Sequence, residues 1–277
     1  MHTSSTKLFI FRGIYRLTIL FLWLFLGLPF QLIVWPLSPL HPLRQKLTQL
    51  IFKGTCFTAG IKVILKGRPV QKGPCLFLSN HISYLDILVL GSKLNASFVS
   101  KADVRKWPIF GLYATLQGTV FIERTKRTIK KQKFAILNRL QKGGSLILFP
   151  EGTTHTGMSV LPFKSSLLDS VEDATLLSRL KIQPISLTYT HLSGLPLGRN
   201  GRVFYAWFGR LSLLPHVWSI VSGGPLSIQI ECHPALNAKD FLCRKKIAAF
   251  CFSEVQKGVS TTFGASKSDI SRSPIHA

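Results

Sequence analysis

Acidic side chains are scarce in this 277-residue sequence, which has 11 aspartates and glutamates against 35 lysines and arginines and a formal charge of +24. Such an excess indicates an anionic partner, either nucleic acid or a membrane surface with phosphorylated small molecules. The sequence contains no helix-turn-helix, zinc-finger or RNA-binding aromatic signature. A nucleic-acid binder has no need of the 46% hydrophobic residues and the mean hydropathy of +0.27 found here. The composition therefore favours membrane lipids, and not nucleic acid, as the partner.

The sequence contains only five cysteines, and their arrangement argues against the usual roles of cysteine clusters. The five cysteines are Cys56, Cys75, Cys232, Cys243 and Cys251. Their number is odd and no pair has C-x-x-C spacing, which argues against a disulfide framework and a zinc site. No other metal-ligand cluster is apparent, so we expect no metal and reduced, structural thiols. This usage suits a protein that faces the cytosol.

Charge is missing altogether from one segment, residues 17–35. A helix of this length spans about 28 Å, close to the hydrocarbon thickness of a bilayer. Because basic residues flank it on both sides, the positive-inside rule gives no orientation. The run is longer than a signal-peptide core and no small-residue cleavage site follows it, so we expect it to be retained. Gly27 and Pro29 favour a kink. The pattern leaves open a spanning helix, a helix within one leaflet and a buried soluble helix.

After residue 42, short apolar runs alternate with helical patterns. Runs of strand length occupy 61–65, 75–79, 96–100, 119–122, 145–149, 182–188 and 226–231. Amphipathic helical patterns cover 43–58 and about 128–140. This alternation predicts an α/β fold with a largely parallel or mixed sheet flanked by helices. We predict a membrane-associated helical segment at 1–58, one globular domain at 59–259 and a disordered tail at 260–277, which is rich in Ser, Thr and Lys.

A polar cluster follows the second predicted strand, in the sequence Asn80-His81-Ile82-Ser83-Tyr84-Leu85-Asp86. Ser83 and Asp86 have the spacing of a helix capping box, which gives Asp86 a purely structural interpretation. Alternatively, Asp86 holds one nitrogen of His81 and leaves the other as a general base toward a hydroxyl. Residues five apart on a helix point about 140° apart, so this second interpretation requires His81 to lie outside the helix.

The His-x4-Asp pair, preceded by Asn and followed by an apolar run, resembles the first motif of the glycerolipid acyltransferase family, which includes the bacterial 1-acyl-glycerol-3-phosphate acyltransferases. Further segments resemble the family's other motifs and follow in its order: Lys101-Ala102-Asp103-Val104 with Pro108 and Gly111, Gly118-Thr119-Val120-Phe121-Ile122-Glu123-Arg124, Phe149-Pro150-Glu151-Gly152-Thr153 and Ile182-Gln183-Pro184-Ile185. The resemblance covers residues 60–190, and several motifs in order are far more specific than one.

The resemblance implies that 59–259 is an acyltransferase domain with His81 and Asp86 as catalytic residues. The substrate-binding residues that it implies are Lys101, Arg124, Glu151 and Gly152. Their chemistry agrees with this role, since the Arg124 guanidinium is suited to phosphate. Glycine at position 152 lets a ligand approach the backbone closely.

The sequence departs from the family pattern at two motif positions. Asp103 replaces a glutamate, and Thr154 stands where the family commonly has arginine, which removes one possible phosphate contact. The segment 161–218 is similar to a branch of the family that is associated partly with lyso-ornithine lipid acylation in bacteria.

We therefore expect transfer of a fatty acyl group from a thioester to the free hydroxyl of 1-acyl-glycerol-3-phosphate, giving phosphatidic acid. Lyso-ornithine lipid O-acylation is the alternative, and a non-catalytic basic membrane adaptor is the alternative of another class. The resemblance implies acyl-CoA or acyl carrier protein as co-substrate, no cofactor, and a place at the bacterial inner membrane with the catalytic domain facing the cytoplasm. Intact His81 and Asp86 argue against the adaptor.

Overall fold

The computed structural model describes residues 2–123, 129–241 and 243–272. The strands are β1 Ile61–Lys66, β2 Cys75–Ser79, β3 Ser97–Lys101, β4 Val120–Ile122, β5 Leu146–Leu148, β6 Lys181–Leu192, β7 Leu195–Pro196, β8 Leu226–Cys232 and β9 Leu236–Asn237. The helices are α1 His2–Val34, α2 Pro42–Thr58, α3 Leu85–Lys93, α4 Phe110–Gln117, α5 Ile129–Gln141, α6 Ala174–Leu177, α7 Arg199–Tyr205, α8 Leu213–Ser222 and α9 Arg244–Arg272. A strand is present at each of the predicted strand segments.

The strands form one sheet in the order β1-β8-β6-β2-β5-β3-β4, with β7 and β9 paired to β6. Along this path all neighbours are parallel except β6 and β8, which are antiparallel. The carboxyl ends of β2, β5, β3 and β4 therefore meet at one edge, where open α/β sheets place their ligands. The predicted α/β fold with a largely parallel or mixed sheet is confirmed.

The sheet is buried on both faces, which explains why its central strands are apolar runs without alternation. Every residue of β2 is buried. Phe77 faces a core shared with α2, α3 and α8, whereas Leu76 and Leu78 face a second core shared with α5 and α9. The two layers hold β2 rigidly, and the loop that follows it carries the polar cluster.

Helix α1 packs against the domain along one side. Arg12 Nε donates to Ser222 O at 2.7 Å, and Arg16 Nη1 donates to Gly223 O at 3.0 Å, so both arginines bind the carboxyl end of α8. Trp23 Nε1 donates to Ile51 O in α2 at 3.2 Å. The part of α1 from Thr6 to Val34 is long and apolar enough to cross a membrane by length and composition. It is therefore the candidate for membrane association.

Arg44 is buried, although the sequence pattern places it among the basic residues that flank the apolar run. Its guanidinium donates to Trp35 O and Leu37 O after the end of α1 and to Leu116 O in α4. Because carbonyls at a helix end lack intrahelical partners, this one side chain fixes two helix ends to α2.

Helix α9 continues past residue 260, into the segment for which a disordered tail is predicted. Thr262 is buried, and its hydroxyl accepts a hydrogen bond from Gln229 Nε2 in β8 at 2.9 Å. The Arg202 guanidinium lies 3.5 Å from the ring centroid of Phe263. These contacts with β8 and α7 give the helix a packed face that the polar composition of the segment does not indicate.

Candidate active site

His81 and Asp86 are in direct contact at the carboxyl edge of the sheet. β2 ends at Ser79 and α3 begins at Leu85, so His81 lies in the connection and outside the helix, as the general-base interpretation requires. His81 Nδ1 lies 2.8 Å from Asp86 Oδ2. The side chain of His81 is 18% exposed, whereas that of Asp86 is fully buried. The imidazole is thus accessible on one side and held by a buried carboxylate on the other.

The Asp86 carboxylate is surrounded by donors. Oδ2 also accepts from the backbone N–H groups of Ile82 at 2.6 Å and Ser83 at 3.0 Å, and Oδ1 accepts from the Tyr189 hydroxyl at 2.8 Å. The bond to Ser83 N is one half of a capping box, so the structural and the functional interpretation of Asp86 hold together. Because a carboxylate only accepts, the proton of a neutral His81 ring lies on Nδ1 and Nε2 is the basic atom.

Tyr189 is a site residue that the sequence pattern did not indicate. It lies in the carboxyl-terminal half of β6, and burial, followed by the charge of Asp86, raises the pKa of its hydroxyl well above the ordinary value. The hydroxyl therefore stays protonated and donates to Asp86. Only its place in a buried strand distinguishes it in the sequence, and apolar strands commonly contain tyrosine.

The His81 ring stacks on Phe149, with centroids 3.9 Å apart and an interplanar angle of 13°. Phe149 directly follows β5, the neighbour of β2 in the sheet. The stack fixes the plane of the imidazole while the bond to Asp86 fixes its rotation, so Nε2 has a defined direction. Phe149 belongs to the Phe149-Pro150-Glu151-Gly152-Thr153 motif, but the sequence alone indicates no role for its ring.

Glu151 and Gly152 follow Phe149 at the same edge. The glutamate is 1% exposed, and Gly152 has a φ of 73°, a conformation that favours glycine. Burial raises the pKa of the Glu151 carboxyl, and the neighbouring His155 and His81 partly offset this effect. Glu151 therefore belongs to the same electrostatic environment as His81. Its contact with His155 was not predicted, although the E-x3-H spacing is visible in the sequence.

Of the two predicted cationic residues, Lys101 and Arg124, the structure describes only Lys101. Lys101 ends β3, with its side chain 58% exposed and its Nζ 2.6 Å from Asp103 Oδ2. β5 separates β3 from β2, which places Lys101 about 10 Å from the β2 end at about 4.8 Å per strand. The structure thus places Lys101 at the same carboxyl edge of the sheet as His81, paired with a carboxylate, and its role in substrate binding stays a prediction. Arg124 lies outside the described residues.

Within the part of the chain that the structure describes, no three His, Cys, Asp or Glu side chains group as metal ligands would. The groups that it brings together are an accessible imidazole, two buried carboxyl groups, a second imidazole and an aromatic ring. An imidazole with one nitrogen fixed by a carboxylate is suited to accept a proton from a hydroxyl.

Known proteins resemble this chain in sequence and in fold. The acyltransferase family model matches residues 61–188. The lyso-ornithine lipid O-acyltransferase of Rhizobium meliloti is 37% identical over 209 residues, which is 74% of this chain and 72% of that protein. The 1-acyl-sn-glycerol-3-phosphate acyltransferase of Neisseria gonorrhoeae is 34% identical over 168 residues, 60% of this chain and 62% of that protein. The crystal structure of the 1-acyl-sn-glycerophosphate acyltransferase of Thermotoga maritima matches this chain with a TM-score of 0.67 and 22% sequence identity. The match covers 93% of this chain and 97% of the Thermotoga chain, so the two share a fold.

Proposed function

This chain belongs to the acyltransferase family and is an acyltransferase of the lysophospholipid type, and we propose that it moves a fatty acyl group from a thioester directly to the free hydroxyl of a lysolipid. The contact of His81 Nδ1 with Asp86 Oδ2 at 2.8 Å carries the proposal, because it leaves Nε2 as a base at an accessible edge of the sheet.

In the proposed reaction, His81 Nε2 takes the proton of the acceptor hydroxyl while the hydroxyl oxygen attacks the thioester carbonyl carbon. The new C–O bond forms, the C–S bond breaks, and the proton on the imidazolium passes to the departing thiolate. The products are the acylated lipid and a free thiol. Asp86 keeps the ring in the required tautomer and stabilises the imidazolium. No covalent acyl-enzyme is required.

The acceptor is proposed to bind along the carboxyl edge of the sheet. Gly152 permits close approach of the ligand to the backbone, and Glu151, Lys101 and Arg124 are the polar groups assigned to its head group. The acyl donor is proposed to be acyl-CoA or acyl carrier protein, both of which present the thioester from the cytoplasm.

We propose that α1 attaches the protein to the membrane and lies along the domain within one leaflet. Its inner face is bound to α8 and α2, as Arg12, Arg16 and Trp23 show. Its outer face carries exposed apolar side chains, namely Leu8, Phe11, Ile14, Phe21, Leu22, Phe25, Leu26, Phe30 and Ile33. A face of this kind suits lipid, whereas a spanning helix would draw the polar surface of α2 into the bilayer. The bacterial inner membrane, with the domain in the cytoplasm, is the proposed location.

Two acceptors have separate support. Lysophosphatidic acid is favoured by the cations Lys101 and Arg124, which suit a phosphate monoester, and by the similarity to the Neisseria enzyme. Lyso-ornithine lipid is favoured by Thr154 in place of arginine, by the ion pair that already occupies Lys101, and by the longer similarity to the Rhizobium enzyme. We propose lyso-ornithine lipid as the preferred acceptor and lysophosphatidic acid as the second candidate.

Competition between the two lysolipids for one acyl thioester tests the acceptor. We expect a higher kcat/KM with lyso-ornithine lipid, and Arg124→Ala should reduce use of the phosphate acceptor more than use of the ornithine acceptor. Thr154→Arg is the matched gain-of-charge variant and should raise kcat/KM for lysophosphatidic acid. A clear preference of the wild-type enzyme for lysophosphatidic acid would reverse the order of the acceptors and leave the His81–Asp86 chemistry unchanged.

A further inference from the structure

Glu151 is a buried carboxyl group beside the base, and its one ion-pair partner among the described residues is His155. Glu151 Oε2 lies 2.7 Å from His155 Nε2. The geometry falls short of an aligned hydrogen bond, and neither oxygen of this 1% exposed side chain has another aligned side-chain donor within the described ranges. Leaving a buried carboxyl group without a donor costs free energy, so the imidazole contact matters for its charge state.

The tautomer of His155 is fixed by the backbone. Its Nδ1 accepts a hydrogen bond from Gly157 N at 3.1 Å. In the neutral ring the proton therefore lies on Nε2, the nitrogen that faces Glu151. His155 thus turns an N–H toward Glu151 at 2.7 Å, and it requires no positive charge to do so.

The turn that carries His155 is packed against the loop that carries His81. Gly157 has a φ of 70°, and a Cβ there would lie 2.9 Å from Ile82 Cγ2. Ile82 directly follows His81. Glycine at this position allows the two loops to touch, and the contact joins the turn of His155 to the loop of His81.

We propose that His155 is a positioning residue that holds the Glu151 carboxylate beside His81, where its negative charge stabilises the imidazolium formed during acyl transfer. The inference rests on the proposed function of His81 as the general base. It adds a second imidazole–carboxylate pair to the site and gives Glu151 a role in the proton transfer besides its proposed role in acceptor binding.

The charges around Glu151 determine how pH should reveal this role. His155 and His81 face the carboxylate, Asp86 is paired with His81, a backbone N–H at Leu161 assists, and the nearby Lys164 points its side chain to solvent. Burial raises the pKa of Glu151 and His155 lowers it. Removing His155 therefore raises this pKa further, so more of the carboxyl group is protonated as the pH falls. The resulting loss of activity should be greatest at low pH and should shrink at high pH.

The test is the pH profile of kcat/KM for acyl transfer in full-length His155→Ala, His155→Gln, Glu151→Gln and the double variant Glu151→Gln/His155→Ala. We expect His155→Ala to lower kcat/KM about tenfold at neutral pH, because the buried carboxyl group loses its one polar side-chain neighbour of this kind among the described residues, and to move the acidic limb to higher pH. His155→Gln retains an N–H donor and should recover most of the loss. In the Glu151→Gln background, the loss of His155 should have no further effect.

His233 provides a matched control, because its imidazole is hydrogen-bonded to Ser186 beneath α9. His233→Ala should cost stability without moving the pH profile. A pH-independent loss in His155→Ala, or the same loss with and without Glu151, would overturn the inference. Circular dichroism of each variant separates such results from unfolding. Absence of acyl transfer by the wild-type enzyme would refute the proposed function itself, a different outcome from a defect confined to His155.

Discussion

Asp86 shows how one residue serves both folding and chemistry. It accepts from two backbone N–H groups in the loop before α3, from Tyr189 in β6, and from His81. The backbone bonds fix the carboxylate before any substrate arrives. The geometry of the base therefore depends on the folding of α3 and β6. His81 is already oriented in the folded protein, so no free energy is needed to orient it during the reaction.

Tyr189→Phe tests this dependence. The variant removes one donor from the buried carboxylate, so the free energy of unfolding should fall by about 1–3 kcal/mol. The kcat/KM should fall as well, because Asp86 is less firmly held. Urea unfolding and the acyl-transfer assay measure the two effects. Tyr113→Phe is the control, since its hydroxyl donates to Leu24 O in α1 and has no part in the site. Equal kcat/KM losses in both variants would contradict the specific role of Tyr189.

The site residues differ in how far the sequence predicts them. His81 and Asp86 lie five positions apart, so local spacing and a capping signal permit their contact, and the family resemblance favours it over a purely structural role of Asp86. Tyr189 is 103 positions from Asp86, and only the pairing of β6 with β2 brings it there. Lys101 lies at the carboxyl edge of the sheet, but its ion pair with Asp103 depends on side-chain conformations that spacing does not determine.

At the scale of the elements, the central strands are predictable because a sheet covered on both faces needs continuous apolar runs. The contacts at the helix ends are less predictable from the sequence. Arg44 has the sequence environment of a membrane-flanking charge, yet it is buried and binds carbonyls of three residues in two other segments. The sequence pattern alone predicts that such an arginine lies at the surface. The unpaired carbonyls that its guanidinium binds come together only when the helices pack.

The contact between the His81 loop and the turn at Gly157 gives a prediction at this scale. Gly157→Ala adds both an unfavourable positive φ and a clash with Ile82. Gly143→Ala is the matched control, because its φ is 83° and nothing lies within 4 Å of the added Cβ. The control should lose about 1–2 kcal/mol of folding free energy from the backbone alone. Gly157→Ala should lose more and should also lower kcat/KM. Identical effects in unfolding and activity assays would show that the loop contact has no part in catalysis.

For the whole molecule, the excess of positive charge and the apolar face of α1 are two possible causes of membrane attachment. We expect the apolar face to dominate. In about 1 M salt the Debye length is about 3 Å, which screens exposed charges but leaves burial in lipid intact. The protein should therefore stay in the membrane fraction after a salt wash and leave it in detergent. Release by salt alone would show that attachment is electrostatic.

The central claim is that His81 acts as the base in acyl transfer to a lysolipid. The most direct test is thiol release from an acyl thioester by the wild-type protein and His81→Ala, with and without lysolipid, together with mass spectrometry of the lipid product. The account predicts thiol release that requires lysolipid, an acylated lipid product, and a rate lower by about a hundred- to ten-thousandfold in a folded His81→Ala protein. Near-normal turnover in that variant, or thiol release that is indifferent to lysolipid, would contradict it.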